Sequence, residues 1–482
     1  MRYDKLFIGG EWVAPATTAT LEVISPHTEQ VIARVAEGAE ADIDRAVAAA
    51  RRAFDEGPWP RMTPAERSDA MGKLLAVLHG RSQEMATTIT AEMGSPITFS
   101  HMGQVMAAEM VLDYYVRLAR EFAFEEVRPG MMGSTVVRRE PVGVCAAIIP
   151  WNIPFFIAML KLGPAMAAGA TAVLKPAPET PLDAVILAEA IEEAGLPKGV
   201  INIVPAGREV GECLVKHPQI DKVTFTGSTA AGRRIAALCG EQLKRVTLEL
   251  GGKSAAIVLD DVNLEALPAA LLPGAMMNNG QACAAQTRIL ASRRRYQDVV
   301  DTLVAAVKDM PVGDPMDPMT MCGPLVSARQ RDRVEGYIRI GREEGATIAI
   351  GGGRPPHLKS GWYVDPTIFT GVDNSMRIAQ EEIFGPVVVV IPYDTVDDAV
   401  RIANDSTYGL SGSVWTSDID HGLAIARRVR TGNYTVNGFM VEFTSPFGGF
   451  KCSGIGRELG PEGLAEFLEA KSINLPMGYE VP

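Results

Sequence analysis

The stretch that decides the fold begins Val142-Gly143-Val144-Cys145-Ala146-Ala147-Ile148-Ile149 and runs on to Val223-Thr224-Phe225-Thr226. Short apolar runs at 142–149, 172–174, 200–204 and 223–226 alternate with segments of helical spacing near 155–168, 182–194 and 210–216. Unbroken apolar runs of this length suit strands buried on both faces, and the helices between them supply the cover. The pattern predicts α/β architecture with a doubly wound parallel sheet, whose ligands bind beyond the carboxyl ends of the strands.

A second alternation lies between Ser254 and Asn437. Strands are expected at 255–259, 288–291 and 387–391, and helices at 264–277, 295–308 and 396–404. This reads as a second α/β domain. Ahead of the first sheet, 5–8 reads as a strand closed by Gly9-Gly10, and 43–54 and 64–78 as helices, the latter behind a Thr63 N-cap. A long helix is expected over 97–120, with Val105, Ala108, Leu112 and Tyr115 on one face. The segment 445–456 reads as a packed glycine-rich loop, and 468–475 as an isolated strand with an exposed edge, a route to pairing with another subunit.

At 482 residues, 47% of them hydrophobic, the chain is too long for one core, so two large domains are expected. The formal charge of −12 leaves no basic face for a nucleic acid; the longest basic run, Arg293-Arg294-Arg295, reads as a solvated turn. Six cysteines stand at 145, 213, 239, 283, 322 and 452, without zinc spacing, so no metal site is expected and the thiols suit the cytosol. Lys161 and Lys175 interrupt the most hydrophobic region, and Met1-Arg2-Tyr3-Asp4 lacks a signal pattern. A soluble, cytoplasmic protein without membrane or nucleic-acid partners is expected.

Five segments carry candidate chemistry. Cys283, in Asn278-Asn279-Gly280-Gln281-Ala282-Cys283, is flanked by small residues and open to attack on a substrate, although a free cysteine is more often a small core residue. Glu249 ends an apolar strand before Gly251-Gly252; desolvation there would raise its pKa toward that of a general base, the bland alternative being a cap or an ion pair. Asn152, in Pro150-Trp151-Asn152-Ile153-Pro154, sits where a strand gives way to a helix, as an oxyanion donor or as an N-cap. The turn Phe225-Thr226-Gly227-Ser228-Thr229-Ala230-Ala231-Gly232 offers N–H groups and a hydroxyl to a diphosphate. Lys175, at another strand end, suits a cofactor ribose or is a surface lysine.

Together these segments resemble the aldehyde dehydrogenase superfamily over nearly the whole chain. The shared motifs are Pro150–Pro154, Leu174-Lys175-Pro176, the Gly227–Gly232 turn, Glu249–Lys253, Gly280–Cys283, Glu381-Glu382-Ile383-Phe384-Gly385-Pro386 and Ser445-Pro446-Phe447-Gly448-Gly449. The resemblance implies NAD(P)-dependent oxidation of an aldehyde to its carboxylic acid. Cys283 would form a thiohemiacetal and then a thioester, Asn152 would steady the oxyanion, and water activated by Glu249 would release the acid. Glu458 matches a second glutamate with a proton-relay role. For the cofactor, the implied contacts are Ile148, Pro150, Trp151, Lys175, Glu179, Gly207, Gly211, Phe225, Thr226, Gly227, Ser228, Leu250, Gly251, Gln330, Glu382 and Phe384. NAD-preferring members carry a glutamate three residues after the lysine; here that place is Pro178, with Glu179 one later, so NAD is expected and NADP stays open.

The implied fold has an NAD(P)-binding domain (1–123 and 142–250), a catalytic domain (251–467) and an oligomerisation arm (124–141 and 468–482). In the arm, Val136-Val137-Arg138-Arg139 would belong to a hairpin partnered by 468–475, giving a homo-oligomer, a dimer or a homotetramer. By position the substrate pocket comprises Trp151, Phe155, Met159, Met276, Met277, Gln281, Ala282, Ala284 and Phe443, apolar and free of arginine. A hydrophobic aldehyde is therefore expected, unless Met276 and Met277 merely face the core. Two rivals stand beside this: a CoA-acylating enzyme, against which Glu249 argues, and a silent scaffold, against which the complete residue set argues.

Overall fold

The computed structural model describes residues 2–479; Met1 and residues 480–482, the end of the expected arm, lie outside the described residues. The first sheet has eight strands in the order Gly454–Ile455, Arg245–Glu249, Lys222–Thr226, Val144–Ile148, Thr171–Lys175, Ile201–Ile203, Leu6–Ile8, Glu11–Val13. The five from Arg245–Glu249 to Ile201–Ile203 run parallel, as their apolar runs predict. From Val144–Ile148 the chain builds outward to Ile201–Ile203 and then returns to the other side of its starting strand. That reversal opens a crevice beyond the carboxyl ends of Val144–Ile148 and Lys222–Thr226.

The second sheet has seven strands, ordered Thr347–Ile350, Thr367–Thr370, Val387–Tyr393, Arg288–Ser292, Ala255–Val258, Gly412–Trp415, Thr435–Val436. Only Thr347–Ile350 is antiparallel. Arg293-Arg294-Arg295 is the expected turn between strand and helix. Near its end the chain leaves this unit. Gly454–Ile455 pairs with Arg245–Glu249 in the first sheet, so part of the span 251–467 returns to that sheet.

Leu468–Asn474 is not isolated. It runs antiparallel to Gly133–Pro141 along its whole length, and Gly133–Pro141 pairs in turn with Glu125–Gly130. The expected hairpin and its partner thus form one three-stranded sheet within the chain. Thr63 caps the helix Pro64–Gly80 as read, its hydroxyl accepting from the Glu66 N–H at 3.2 Å. The long helix is interrupted. Residues Ser100–Met106 form a π-helical stretch between Ile97–Phe99 and Ala107–Glu121, while Val105, Ala108, Leu112 and Tyr115 are buried as expected. No helix among the described residues is long and apolar enough to cross a membrane.

Arg288 ties the second sheet together from inside. Its buried guanidinium donates to the carbonyls of Lys253 (3.0 Å), Ile402 (2.9 Å) and Ala403 (3.0 Å) and to the Asn374 side chain (2.9 Å). Replacing it by alanine leaves the buried Lys253 and Ala403 carbonyls and the Asn374 side-chain oxygen without this donor, each worth about 1–3 kcal/mol, while the Ile402 carbonyl keeps the Asp405 N–H. Arg288→Ala is expected to lose at least ~3 kcal/mol in urea unfolding, with Arg288→Lys recovering only part of it. A midpoint shift worth under ~1 kcal/mol would show that the sheet does not depend on this residue.

Candidate active site

Glu249 is the last residue of its strand, paired with Thr226 on one side and Gly454 on the other. It is 2% exposed, and neither carboxylate oxygen has a hydrogen-bond partner among the described residues. Burial holds its pKa well above the usual carboxylate range; the Glu458 charge adds to this, while Lys161 and Arg457 oppose it. A carbon placed on Gly448 would lie 2.6 Å from Glu249 Oε1, so the glycine-rich 445–456 loop closes directly over the carboxylate.

Cys283 reaches the same place from the second sheet. The helix Leu267–Met276 ends and the chain turns through Asn278 and Asn279, both left-handed at φ 53° and 62°. Asparagine tolerates that conformation better than most residues, and here its side chains repay the strain. Asn279 Nδ2 donates to the carbonyls of Gly94 (2.9 Å) and Pro324 (2.8 Å), and its Oδ1 accepts from the Gly323 N–H. Asn278 Nδ2 donates to the Asn152 carbonyl at 2.8 Å, and Asn152 Nδ2 donates to the Gln281 carbonyl at 2.9 Å. Asn152 is thereby locked to the cysteine loop, with its second amide N–H still to be used. Burial pushes the Cys283 thiol up to about 12, helped by the charges of Glu382 and Glu249 and opposed by the N–H groups of Ala284 and Cys283.

Glu458 is buried and accepts from Lys161 Nζ at 2.7 Å, and the same ammonium donates to Thr226 at 2.7 Å. Asn152, Thr226, Glu249, Cys283 and Glu458 all line one cavity of about 850 Å³. Its walls include Met276, Met277, Ala282, Ala284 and Phe443, as expected. Phe155 and Met159 do not line it; both are packed in the core, and Phe156 and Leu160, one residue on along the helix Pro154–Ala168, take their places. Gln281 and Trp151 are also absent from the wall. Gln281 is buried, accepting from the Val326 N–H, and the Trp151 ring meets Phe384 edge-on at 5.4 Å. The reading missed Met102, Met106 and Met110, which line the cavity yet are partly exposed, and Phe99, Met321 and Met440 beside them. Methionines spaced by four residues opposite the buried stripe of that helix were the available signal.

The expected cofactor residues gather at the strand ends around the crevice. Ile148, Lys175, Phe225 and Thr226 lie at carboxyl ends of parallel strands, with Pro150, Gly227 and Leu250 just beyond. Ser228 caps the helix Thr229–Glu241, accepting from the Ala231 N–H at 3.3 Å. Lys175 is buried, which lowers its pKa to about 8; its ammonium donates to the carbonyls of Pro176 (2.7 Å) and Ala206 (2.8 Å). Gly211 passes so close that a carbon there would lie 3.2 Å from Lys175 Cδ, and Gly207 caps the same helix, Arg208–Lys216. Glu179 is half-buried, and burial raises its pKa against the attraction of Lys175 and Arg329. Glu382 accepts from the Gly252 N–H at 3.0 Å, and its other oxygen lies 2.6 Å from where a Gly251 side chain would begin. Gln330 donates to the Phe384 carbonyl at 2.7 Å, holding a residue whose φ is 64°.

A crevice at the reversal of a parallel sheet beside a thiol, an amide and a buried carboxylate defines an oxidoreductase site of one known architecture. The model of the aldehyde dehydrogenase family matches residues 12–473, and the chain belongs to that family, enzymes that oxidise aldehydes to acids. It is similar to a geranial dehydrogenase of Castellaniella defragrans, at 47% identity over 98% of this chain and 99% of that protein. Among solved structures it is similar to a Mycobacterium tuberculosis aldehyde dehydrogenase complexed with NAD+, with TM-score 0.99, 50% identity and both chains covered fully. It is also similar to a Pseudomonas syringae aldehyde dehydrogenase, a cysteine-to-alanine variant bound to NAD+ and octanal, with TM-score 0.93, 41% identity, and 98% and 96% of the chains covered.

The charges around Glu249 set a pH prediction. A base whose pKa is raised becomes active only as pH climbs through that raised value. Hydrolysis of an acyl-enzyme should therefore rise with pH at a midpoint above the ordinary carboxylate range. Glu458→Gln removes a raising charge and should move that midpoint down; Lys161→Met removes a lowering one and should move it up. A midpoint that stays put in both variants would mean Glu249 is not the group being titrated.

Proposed function

We propose that this chain oxidises a hydrophobic aldehyde with NAD+, through a thioester on Cys283. The observation that carries the proposal is the convergence of Cys283, Asn152 and Glu249 at the buried end of one apolar cavity. The thiolate of Cys283 adds to the carbonyl carbon, and the free Asn152 amide N–H with the Cys283 backbone N–H stabilises the resulting oxyanion. Bound NAD+ supplies the hydride acceptor. Glu249 takes a proton from water, the water oxygen bonds to the thioester carbon, and the C–S bond breaks to release the acid. Glu458, paired with Lys161, receives protons from Glu249.

The crevice suits a dinucleotide. Two of the three Lys175 N–H groups are engaged, leaving one for a ribose hydroxyl, and Glu382 keeps one oxygen to accept from another. The Thr229–Glu241 helix start, with Ser228 and Gly227, suits the diphosphate, and Phe384, held by Gln330, suits the ring. Ile148, Pro150, Trp151, Phe225, Thr226, Gly207, Gly211, Leu250 and Gly251 complete the walls. Glu179, close enough to Lys175 to feel its charge, supports NAD over NADP despite Pro178. Replacing Glu179 by serine is expected to improve kcat/KM for NADP relative to NAD about tenfold; an unchanged ratio would remove Glu179 from selectivity.

Among the described residues no lysine or arginine lines the cavity, and methionine and phenylalanine dominate it. A carboxylate-bearing semialdehyde would find no cation there. The geranial and octanal of the similar proteins are hydrophobic aldehydes of fitting size. A medium-chain aldehyde should exceed a carboxylate-bearing semialdehyde at least tenfold in kcat/KM, roughly the worth of one lost ion pair. The reverse ranking would refute the substrate class. The division into an NAD(P)-binding part (1–123, 142–250), a catalytic part (251–467) and an arm (124–141, 468–482) belongs to the same proposal. The exposed strand Leu468–Asn474 supports a homo-oligomer, dimer or tetramer. Six free thiols support a cytoplasmic setting.

A further inference from the structure

Aldehyde oxidation by NAD+ consumes one water and yields the carboxylate, NADH and two protons. Protons taken up at Glu249 must cross a buried region to leave. The strands that carry Glu249 supply a polar stripe across the core. Because side chains alternate along a strand, Lys222, Thr224 and Thr226 share one face, and on the neighbouring parallel strand Arg245, Thr247 and Glu249 stand beside them in register. Residues at these positions in a doubly wound sheet are normally apolar. Here Lys222, Thr224, Thr226, Thr247 and Glu249 are all buried and polar.

Each end of the stripe holds an ion pair. At the cavity end Lys161 Nζ, from the overlying helix, donates to Glu458 (2.7 Å), Thr226 (2.7 Å) and Thr224 (3.3 Å). At the other end Lys222 Nζ donates to Thr247 (2.7 Å) and to Glu466 Oε2 (3.4 Å), and the Thr247 hydroxyl donates to Glu466 Oε2 at 2.9 Å. Thr224 and Thr247, which join the halves, are register partners on neighbouring strands about 5 Å apart. The side chain of Glu466 is 29% exposed, whereas those of Lys161, Lys222 and Glu458 are at most 4% exposed. The charges also count unevenly. Two buried ammonium groups meet three carboxylates; Glu458 and Glu466 are paired, and Glu249, which feels the half-buried Arg457 guanidinium only through its charge, has no hydrogen-bonded partner among the described residues.

We propose that Lys222, Thr247 and Glu466 are the outer half of the proton exit, with Glu466 the surface group that passes the protons to solvent. The proposal rests on Glu249 being the hydrolytic base. In the hydrolytic step the water O–H bond breaks, its oxygen joins the acyl carbon, the C–S bond breaks with its electron pair left on the Cys283 sulfur, and the proton goes to Glu249. Transfers along Glu458, Lys161, Thr224, Thr247 and Lys222 then return each group to its starting state while Glu466 loses a proton to water. Facing this exit are Arg245, bound to Glu469 at 2.6 Å, the Cys145 thiol beside Lys222, and the Phe467 ring 5.1 Å from the Lys222 ammonium. Gly456 lies against Glu466 Oε1, where a side chain would begin 2.9 Å away. Glu466 touches no reacting atom and is a positioning residue.

The test is the decay of the acyl-enzyme formed from a chromogenic acyl ester, followed by intact mass with no cofactor present. Glu466→Gln should form the acyl-enzyme normally and lose it about tenfold more slowly, less than the roughly 10²–10⁴-fold lost when the group at the reacting atoms is removed. Added imidazole should restore the rate, and Glu466→Asp should stay close to wild type. A wild-type decay rate in Glu466→Gln, beside slow decay in Glu249→Gln, overturns the exit and leaves the base standing. Slow decay that imidazole does not relieve also overturns it, since that marks a structural effect. Wild-type decay in Glu249→Gln removes the base, and the exit with it.

Discussion

The site depends on two residues that have no side chains. Between Glu249 on the first sheet and Ala255 on the second, the chain passes through Gly251 and Gly252. A carbon on Gly252 would lie 2.2 Å from the Cys283 carbonyl oxygen, and one on Gly251 would lie 2.6 Å from Glu382. The Gly252 gap is closed by backbone and the Gly251 gap by the buried Glu382 carboxylate, so Glu249, Cys283 and Glu382 come together this closely because glycine stands twice. The Gly252 N–H, bonded to Glu382, fixes the third member while the missing carbons admit the other two. Gly280 acts alike on the opposite side, where a side chain would begin 2.1 Å from the Gly385 backbone.

Close approach of this kind excludes water, and the titration of the site follows from that. Burial alone pushes Cys283 and Glu249 toward their neutral forms, and each carboxylate nearby pushes further. A neutral thiol and a protonated acid are both inert, so turnover requires charge to be moved out of the core. Lys161, from the overlying helix, and Lys222, on the strand beside that of Glu249, are buried cations against the same sheet face. The apolar cavity and the polar stripe are thus complementary. One is lined by methionine and phenylalanine, the other carries the charged and hydroxyl side chains.

The parallel strands were legible because buried strands carry unbroken apolar runs, and Val144–Ile148 and Lys222–Thr226 fall within a residue or two of their readings. That Cys283, Glu249 and Asn152 would share one cavity was legible because each stands in a motif whose neighbours limit what it can be. The helix Pro154–Ala168 misled for a physical reason. It is apolar on every side and nearly all buried, so periodicity has no face to report and does not separate Phe155, packed in the core, from Phe156, which lines the cavity. Asn278 and Asn279 hid their left-handed turn, since nothing local distinguishes them from a helix end. The pairings of Leu468–Asn474 and of Gly454–Ile455 are made with strands more than 200 residues away, beyond any local pattern. The stripe of Lys222 and Thr247 hides likewise, because alternation within two separate strands becomes one surface only when they pair in register.

The most direct test is to trap the thioester. Glu249→Gln, incubated with octanal and NAD+, should release one equivalent of NADH and stop, and peptide mass mapping should find an octanoyl group on the peptide that carries Cys283. Continued turnover with no adduct, or an acyl group on another cysteine, would contradict the account.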